Sequence, residues 1–285
     1  MIPFRKILFP VDFSKPCDFM AEQVKNMANH YAADVTLLHA FEAPSGYYGE
    51  LGGLEMDLRE LTTLAKQHLD RFAKQAFPDL KVEQRFDQAN PIDAIRNFVH
   101  HDGTDLIMMP TSGYGPLRRL LLGSVTAKVL HDVSCAVWTD AHQPEMGHNP
   151  QFPYKSILCC VGWDEEAPAL VHGAASLAKS FGAKLTVMHA TELPTADGAA
   201  HISDYRRQLV QNTQAYLLDL RKEIDIDADV AVVEELITTH LREEVVRRKI
   251  DLIVLGRGNV QGWFTRLWSE LYAVVRESPC PVISL

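Results

Sequence analysis

The stretch VTLLHAFEAP at 35–44 returns as LTVMHATELP at 185–194, 150 positions on, and DLIMMP at 105–110 returns as DLIVLG at 251–256, 146 positions on. A chain that repeats itself over this distance folds as two copies of one unit, each with its own core. The 285 residues suffice for two such domains, and a 47% share of hydrophobic residues gives each a core to bury. Between the copies, DAHQPEMGHNPQFPY at 140–154 is polar and carries three prolines, so it reads as a linker. The expected organisation is domain 1 at 1–140, a linker at 141–154 and domain 2 at 155–285.

Within copy one, short apolar runs alternate with helical patterns. RKILFPV is a buried-strand run ending at Asp12. Ser14 then offers a helix cap with Pro16 in the first turn, and Met20, Val24, Met27 and Tyr31 follow at helical spacing. DVTLLHAFE is a second strand, Leu54 to Phe77 a long helix, LKVEQRF a third strand, and Asn90-Pro91 opens another helix. TDLIMMP is a fourth strand, a helix starts at Ser124, and SCAVWTD is the fifth strand. Copy two repeats this order from KSILCCVG to CPVISL, its first helix starting at Asp164.

Strands that alternate with helices require right-handed crossovers and a parallel sheet covered on both faces, an α/β fold. Ligands in such sheets gather at the carboxyl ends of strands, where the strand order reverses. Asp12 and Pro110 both end strands, which directs attention to the loops after strands one and four. The second of these is GYGPLRRLLLGSV at 113–125. Gly123-Ser124 sits where a helix begins, and the first amides of a helix lack internal partners and carry partial positive charge. Glycine admits a phosphate close to the backbone, and the serine hydroxyl can donate to it. Gly113 and Gly115 let the loop turn back over a ligand. The same residues also read as a tight turn with Ser124 as its cap.

Gly113, nine residues from Tyr114 to Leu122, then Gly123-Ser124 resembles the second half of the Gly-x-x-Gly-(nine)-Gly-Ser/Thr motif of the universal stress protein family. ILFPVDFS, the His39-Ala40 strand end, RRLLLGSV and the last strand after HDVSC extend the likeness over both copies. The resemblance implies two tandem adenine-nucleotide alpha-hydrolase-like domains, each a five-stranded parallel sheet of order 3-2-1-4-5 with helices on both faces. It implies ATP, ADP or AMP as ligand, with Mg2+ as companion ion, in a cytosolic stress response. By the same likeness, Val11 and Asp12 line base and ribose, Ala40 flanks the adenine, and Met109 meets the base edge. Gly113, Gly123, Ser124, Val125 and Thr126 wrap the phosphates. From the residues alone, Asp12 is equally a helix cap and Met109 a core residue. The family also implies pairing of the copies through their fifth strands, with homodimerisation through remaining surfaces.

The family's first glycine is Pro110 here. Proline removes an amide, and one lost ligand hydrogen bond costs about 1–3 kcal/mol, against about 8 kcal/mol for micromolar binding. Copy two departs further. Gly256 is kept, but Asn259 replaces the second glycine, Ser269-Glu270 replaces Gly-Ser, and Gly162 stands in the frame of Asp12. A carboxylate at 270 near the phosphates would cost about 3 kcal/mol per phosphate charge at roughly 5 Å and an effective dielectric of 20. Glu270 is expected to complement its own helix terminus, leaving nucleotide to domain 1 only.

Net charge is −9, with 28 Lys and Arg against 37 Asp and Glu, which excludes a broad nucleic-acid or anionic-membrane surface. No apolar run approaches the 18 or so residues of a spanning helix, and Asp12 interrupts the N-terminus too early for a signal-peptide core. Cysteines at 17, 135, 159, 160 and 280 form neither a disulfide framework nor a metal signature, in keeping with a reducing cytosol. His100-His101 reads as a solvated helix end rather than a metal site. Arg118 and Arg119 either steer an anion or lie on a solvated loop, and WFTRLW at 263–268 is either an apolar plug or an interface patch. Two other readings stand beside nucleotide binding: an interaction scaffold whose pocket Pro110 has disabled, and, ranked last, a slow ATP hydrolase turning over triphosphate near Asp12 and Thr126. The last lacks a paired acid and base and a lysine-bearing phosphate loop, so no catalytic residue is assigned.

Overall fold

A computed structural model of the chain describes residues 4–42, 58–111, 122–140, 151–191, 199–234, 237–257 and 265–285. The chain divides into two compact units between Thr139 and Asp140.

In the first unit, β1 (Lys6–Pro10) buries Ile7, Leu8 and Phe9 on both faces, as a central parallel strand covered by helices must. The helix α1 (Lys15–Tyr31) has proline in its first turn and turns Met20, Val24 and Met27 inward; it stops at Ala32, which takes the left-handed conformation (φ 52°) and donates its N–H to the Ala28 carbonyl. Next come β2 (Asp34–Ala40), α2 (Leu58–Ala76) and β3 (Val82–Asp87). Phe72 and Phe77 meet Phe9 with ring centroids 6.1 and 6.3 Å apart, tying the second helix to the central strand. Although β3 has strand-forming sequence, none of its residues is buried, which suits a sheet edge. The Asn90 side chain caps α3 (Pro91–Asp102), its Oδ1 accepting the Ile92 N–H at 3.0 Å. Then follow β4 (Leu106–Pro110), fully buried, α4 (Ser124–Asp132) and β5 (Ala136–Asp140). All sheet neighbours whose register is given are parallel, and the order is β3-β2-β1-β4-β5. Strand order therefore reverses at β1.

The second unit runs β6 (Ser156–Cys160), α5 (Ala167–Phe181), β7 (Lys184–Thr191), α6 (Ala199–Ile224), β8 (Asp229–Glu234), α7 (Ile237–Arg248), β9 (Leu252–Leu255), α8 (Thr265–Glu277) and β10 (Val282–Ser284). Its order is β8-β7-β6-β9-β10, again parallel, with the reversal at β6.

One acid per unit fastens the central strand. Asp105 Oδ2 accepts the Arg5 and Lys6 amides at 2.8 and 3.0 Å, while the Asp105 N–H donates to the Lys6 carbonyl at 3.0 Å. Asp251 repeats this on Lys155 and Ser156 at 2.7 and 3.1 Å, its own N–H on the Ser156 carbonyl at 2.8 Å. Two charge-assisted bonds at a half-exposed site put the expected destabilisation of Asp105→Ala at about 1–2 kcal/mol, read from urea denaturation. Asp105→Asn keeps an acceptor and should lose less.

Candidate functional site

The carboxyl end of β1 is assembled from backbone outward. Val11 donates its N–H to the Leu38 carbonyl at 2.9 Å and accepts from His39 Nδ1 at 2.7 Å, which locks the ends of β1 and β2 together. Since a carbonyl only accepts, His39 carries its proton on Nδ1. Asp12 is exposed and its Oδ1 receives the Ser14 N–H at 2.9 Å and the Cys17 thiol at 3.0 Å. Asp12, and not the Ser14 side chain, thus supplies the acceptor at the start of α1; Ser14 makes no side-chain capping bond. Both bonds fall on Oδ1, and among the described residues nothing engages Oδ2. Burial, reinforced by the Asp12 carboxylate, pushes the Cys17 thiol up to about 12, so this cysteine stays protonated and unreactive.

Phe13, between these groups, went unnoticed in the sequence. It is one of four non-glycine residues with positive φ (59°) among the described residues, and its ring centroid lies 4.4 Å from that of His39, with His68 and Phe72 at 5.8 and 6.1 Å. Such a conformation costs about 1–3 kcal/mol and persists only where packing holds it. No sequence pattern marks it.

The phosphate-loop candidates start from the end of β4. Gly123 donates its N–H to the Thr111 carbonyl at 2.8 Å, and the Thr126 hydroxyl donates to the Pro110 carbonyl at 3.1 Å. These two bonds fix the first turn of α4 to the strand end. Gly123 is the cap residue of α4 (φ −61°, ψ 141°), no side chain among the described residues caps the helix, and its first turn holds no acid. Ser124 is exposed and Val125 half-buried. Thr126 is buried with its hydroxyl turned to the protein, so it positions the turn. Val11, Met109 and Pro110 are buried, and Ala40 is half-buried beside His39. Gly113, Gly115, Arg118 and Arg119 lie outside the described residues, as does the 258–264 stretch that includes Trp263.

Burial holds His39 below the ordinary histidine value of about 6.5, against the opposing pull of the Val11 carbonyl and Asp12. The unfolded chain therefore takes up a proton before the folded one does. Its contribution to stability is complete above pH 6.5 and is lost as pH falls through the lowered value. The urea midpoint is expected to fall on acidification below about pH 6.5, and to fall less in His39→Gln, which keeps a donor for Val11.

Copy two corrects two expectations. Its last helix begins at Thr265, so position 270 lies in the second turn and not at the amino terminus. Between 265 and 270 the sequence TRLWSE contains no glycine or proline to stop the helix, whereas Gly123 halts α4. Nor is the acid lost from the end of β6. His189 Nδ1 meets the Val161 carbonyl at 2.8 Å, as His39 meets Val11, but α5 starts two residues later in frame and has 15 residues against 17 in α1. The cap acceptor moves with it: Asp164 Oδ1 accepts the Glu166 N–H at 3.0 Å. The Asp164 carboxylate folds back over Gly162, where a Cβ would collide with it. Trp163, in the frame of Phe13, has no positive φ; it is 56% exposed and stacks on Tyr216, centroids 4.7 Å apart and planes 9° apart. Retained Gly256 packs against Leu170, a Cβ there lying 3.2 Å from its Cδ2.

A family model described as the universal stress protein family matches residues 3–139 and again 153–284. The Thermus aquaticus protein named "Universal stress protein in QAH/OAS sulfhydrylase 3'region" is 30% identical over 134 residues, which are 47% of this chain and 96% of that protein. Universal stress protein MJ0577 of Methanocaldococcus jannaschii is 26% identical over 145 residues, 45% of this chain and 90% of the relative. The crystal structure of a universal stress protein from Archaeoglobus fulgidus covers 98% of this chain and 97% of its own, with a TM-score of 0.65 at 18% identity, a likeness of fold.

Proposed function

Because this chain belongs to the universal stress protein family, we propose that it binds an adenine nucleotide, ATP, ADP or AMP, in its first domain alone, as part of a cytosolic stress response. The observation that carries this reading is the first turn of α4, fastened to the end of β4 by Gly123 and Thr126, free of acids and, among the described residues, capped by no side chain. A fixed, uncapped helix terminus beside the sheet's reversal point favours an anion there. Asp12 keeps Oδ2 for a ribose hydroxyl, Val11, Ala40 and Met109 border the base, and Ser124, Val125 and Gly113 complete the phosphate contacts. Among the described residues no three His, Cys, Asp or Glu side chains gather as a metal site, so Mg2+ would arrive on the nucleotide's phosphates. Domain 2 lacks the Gly-Ser step, and its last helix runs through the matching position. Joining of the two copies through their fifth strands, and a homodimer, belong to the same proposal and are checked by light scattering.

No helix among the described residues is long and apolar enough to cross a membrane. None of the five cysteines forms a disulfide, which supports a reducing compartment. A scaffold reading is favoured by one feature: Pro110 contributes no amide where the family has glycine, and its carbonyl is already taken by Thr126. Two measurements separate them. Nucleotide released from denatured purified protein is identified by mass spectrometry, and ATP, ADP and AMP are titrated calorimetrically into the stripped protein. One saturable site per chain supports the nucleotide reading; no released nucleotide and no heat support the scaffold. Product formation over hours, compared with Thr126→Ala, tests slow hydrolysis.

A further inference from the structure

The reversal point of the second unit's own strands, at the end of β6, carries a group of side chains that the nucleotide reading leaves unused. Trp163 lies three residues past the end of β6 and exposes over half its surface although it does not dangle. It lies flat on Tyr216 and edge-on to His189, with centroids 4.7 and 6.1 Å away. The indole is thus held by two rings while more than half of its surface stays exposed. Asp164 lies half-buried beside it, its carboxylate folded over Gly162. Glu165 and Glu166 follow, both exposed. Among the described residues none of the three acids forms an ion pair. Burial and then the Asp164 and Glu223 carboxylates push the Tyr216 phenol up.

We propose that this corner of domain 2 is a second ligand site that takes a small organic cation, an amine or guanidinium on a short apolar body, against the exposed indole of Trp163 and the carboxylate of Asp164. An indole face and a carboxylate attract positive charge for separate reasons, the ring through its quadrupole and the acid through its charge. The same arrangement repels phosphate. Copy one differs at each element: Phe13 is turned onto His39 by its left-handed backbone, and Lys15 stands in the frame of Glu165. The two reversal points therefore select ligands of opposite charge. A preformed, partly desolvated aromatic face is what separates this corner from an ordinary solvated acidic turn.

Agmatine, titrated into the full-length protein by calorimetry at low salt, tests the assignment. Binding at one site per chain is expected, weakened about tenfold in Trp163→Ala. Asp164→Asn, which keeps the cap acceptor for Glu166 and so the fold, is expected to weaken it similarly, and added salt to weaken it further. Gly123→Asp, in the other domain, is expected to leave agmatine binding unchanged, so that the outcome is independent of nucleotide binding. Absence of saturable binding overturns the proposal, and so does binding that survives both Trp163→Ala and Asp164→Asn. Displacement of agmatine by uncharged adenosine also overturns it, since the corner would then be reading a flat ring rather than charge.

Discussion

In a Gly123→Asp variant, ATP affinity is expected to fall by more than about a hundredfold while the protein remains as stable as before. One carboxylate about 5 Å from a phosphate, at an effective dielectric of 20, costs about 3 kcal/mol per phosphate charge, and each 1.4 kcal/mol is a factor of ten. The backbone at 123 (φ −61°, ψ 141°) is open to any residue, and aspartate is a better helix cap than glycine. The added acid fills the uncapped turn from within, as a bound anion would. Calorimetric titration gives the affinity, and circular dichroism melting shows that the fold has survived. Unchanged affinity would mean that phosphate does not sit at α4.

Trp138→Ala is expected to destabilise the chain by about 3–5 kcal/mol, the range for emptying a large aromatic from a core. Trp138, in β5, is 0% exposed, and its indole N–H donates to Gln23 Oε1 on α1 at 3.0 Å. The alanine variant leaves a cavity and strips that amide oxygen of a donor. Trp138→Phe keeps most of the volume and loses only the bond, so its loss should be about 1–2 kcal/mol. Urea denaturation followed by circular dichroism distinguishes the two. Equal losses would mean that the hydrogen bond, and not the volume, secures the strand.

Most strands and helices were legible because each announces itself within a few residues: apolar runs such as KILFP and LIMMP, and the Asn90-Pro91 start of α3. Parallel strands buried on both faces are the easiest elements to see in a sequence. The site was legible only as a set of candidates. The sequence offers Ser124 as the cap of α4, whereas Gly123 holds that position and Ser124 opens the helix; that Thr126 turns its hydroxyl to the Pro110 carbonyl is not legible at all, because the bond spans 16 residues and a tertiary turn. Asp164, expected to start a helix that in fact begins at Ala167, was not recognised as the counterpart of Asp12 for a related reason. Matching the copies strand by strand puts Gly162 opposite Asp12, and nothing in that frame reveals that a side chain two residues on folds back into the gap. Phe13 was invisible because its left-handed backbone is set by the rings around it and by no turn residue.

The helices after β1 and β6 end in the same frame, at Ala32 and Gly182, though one has two residues more than the other. A helix's opening turn is thus a reserve of loop. Shifting the capping acid by two positions releases half a turn of chain without inserting or deleting a codon. After gene duplication, a lineage could therefore lengthen a recognition loop by point substitution alone, leaving every strand in register.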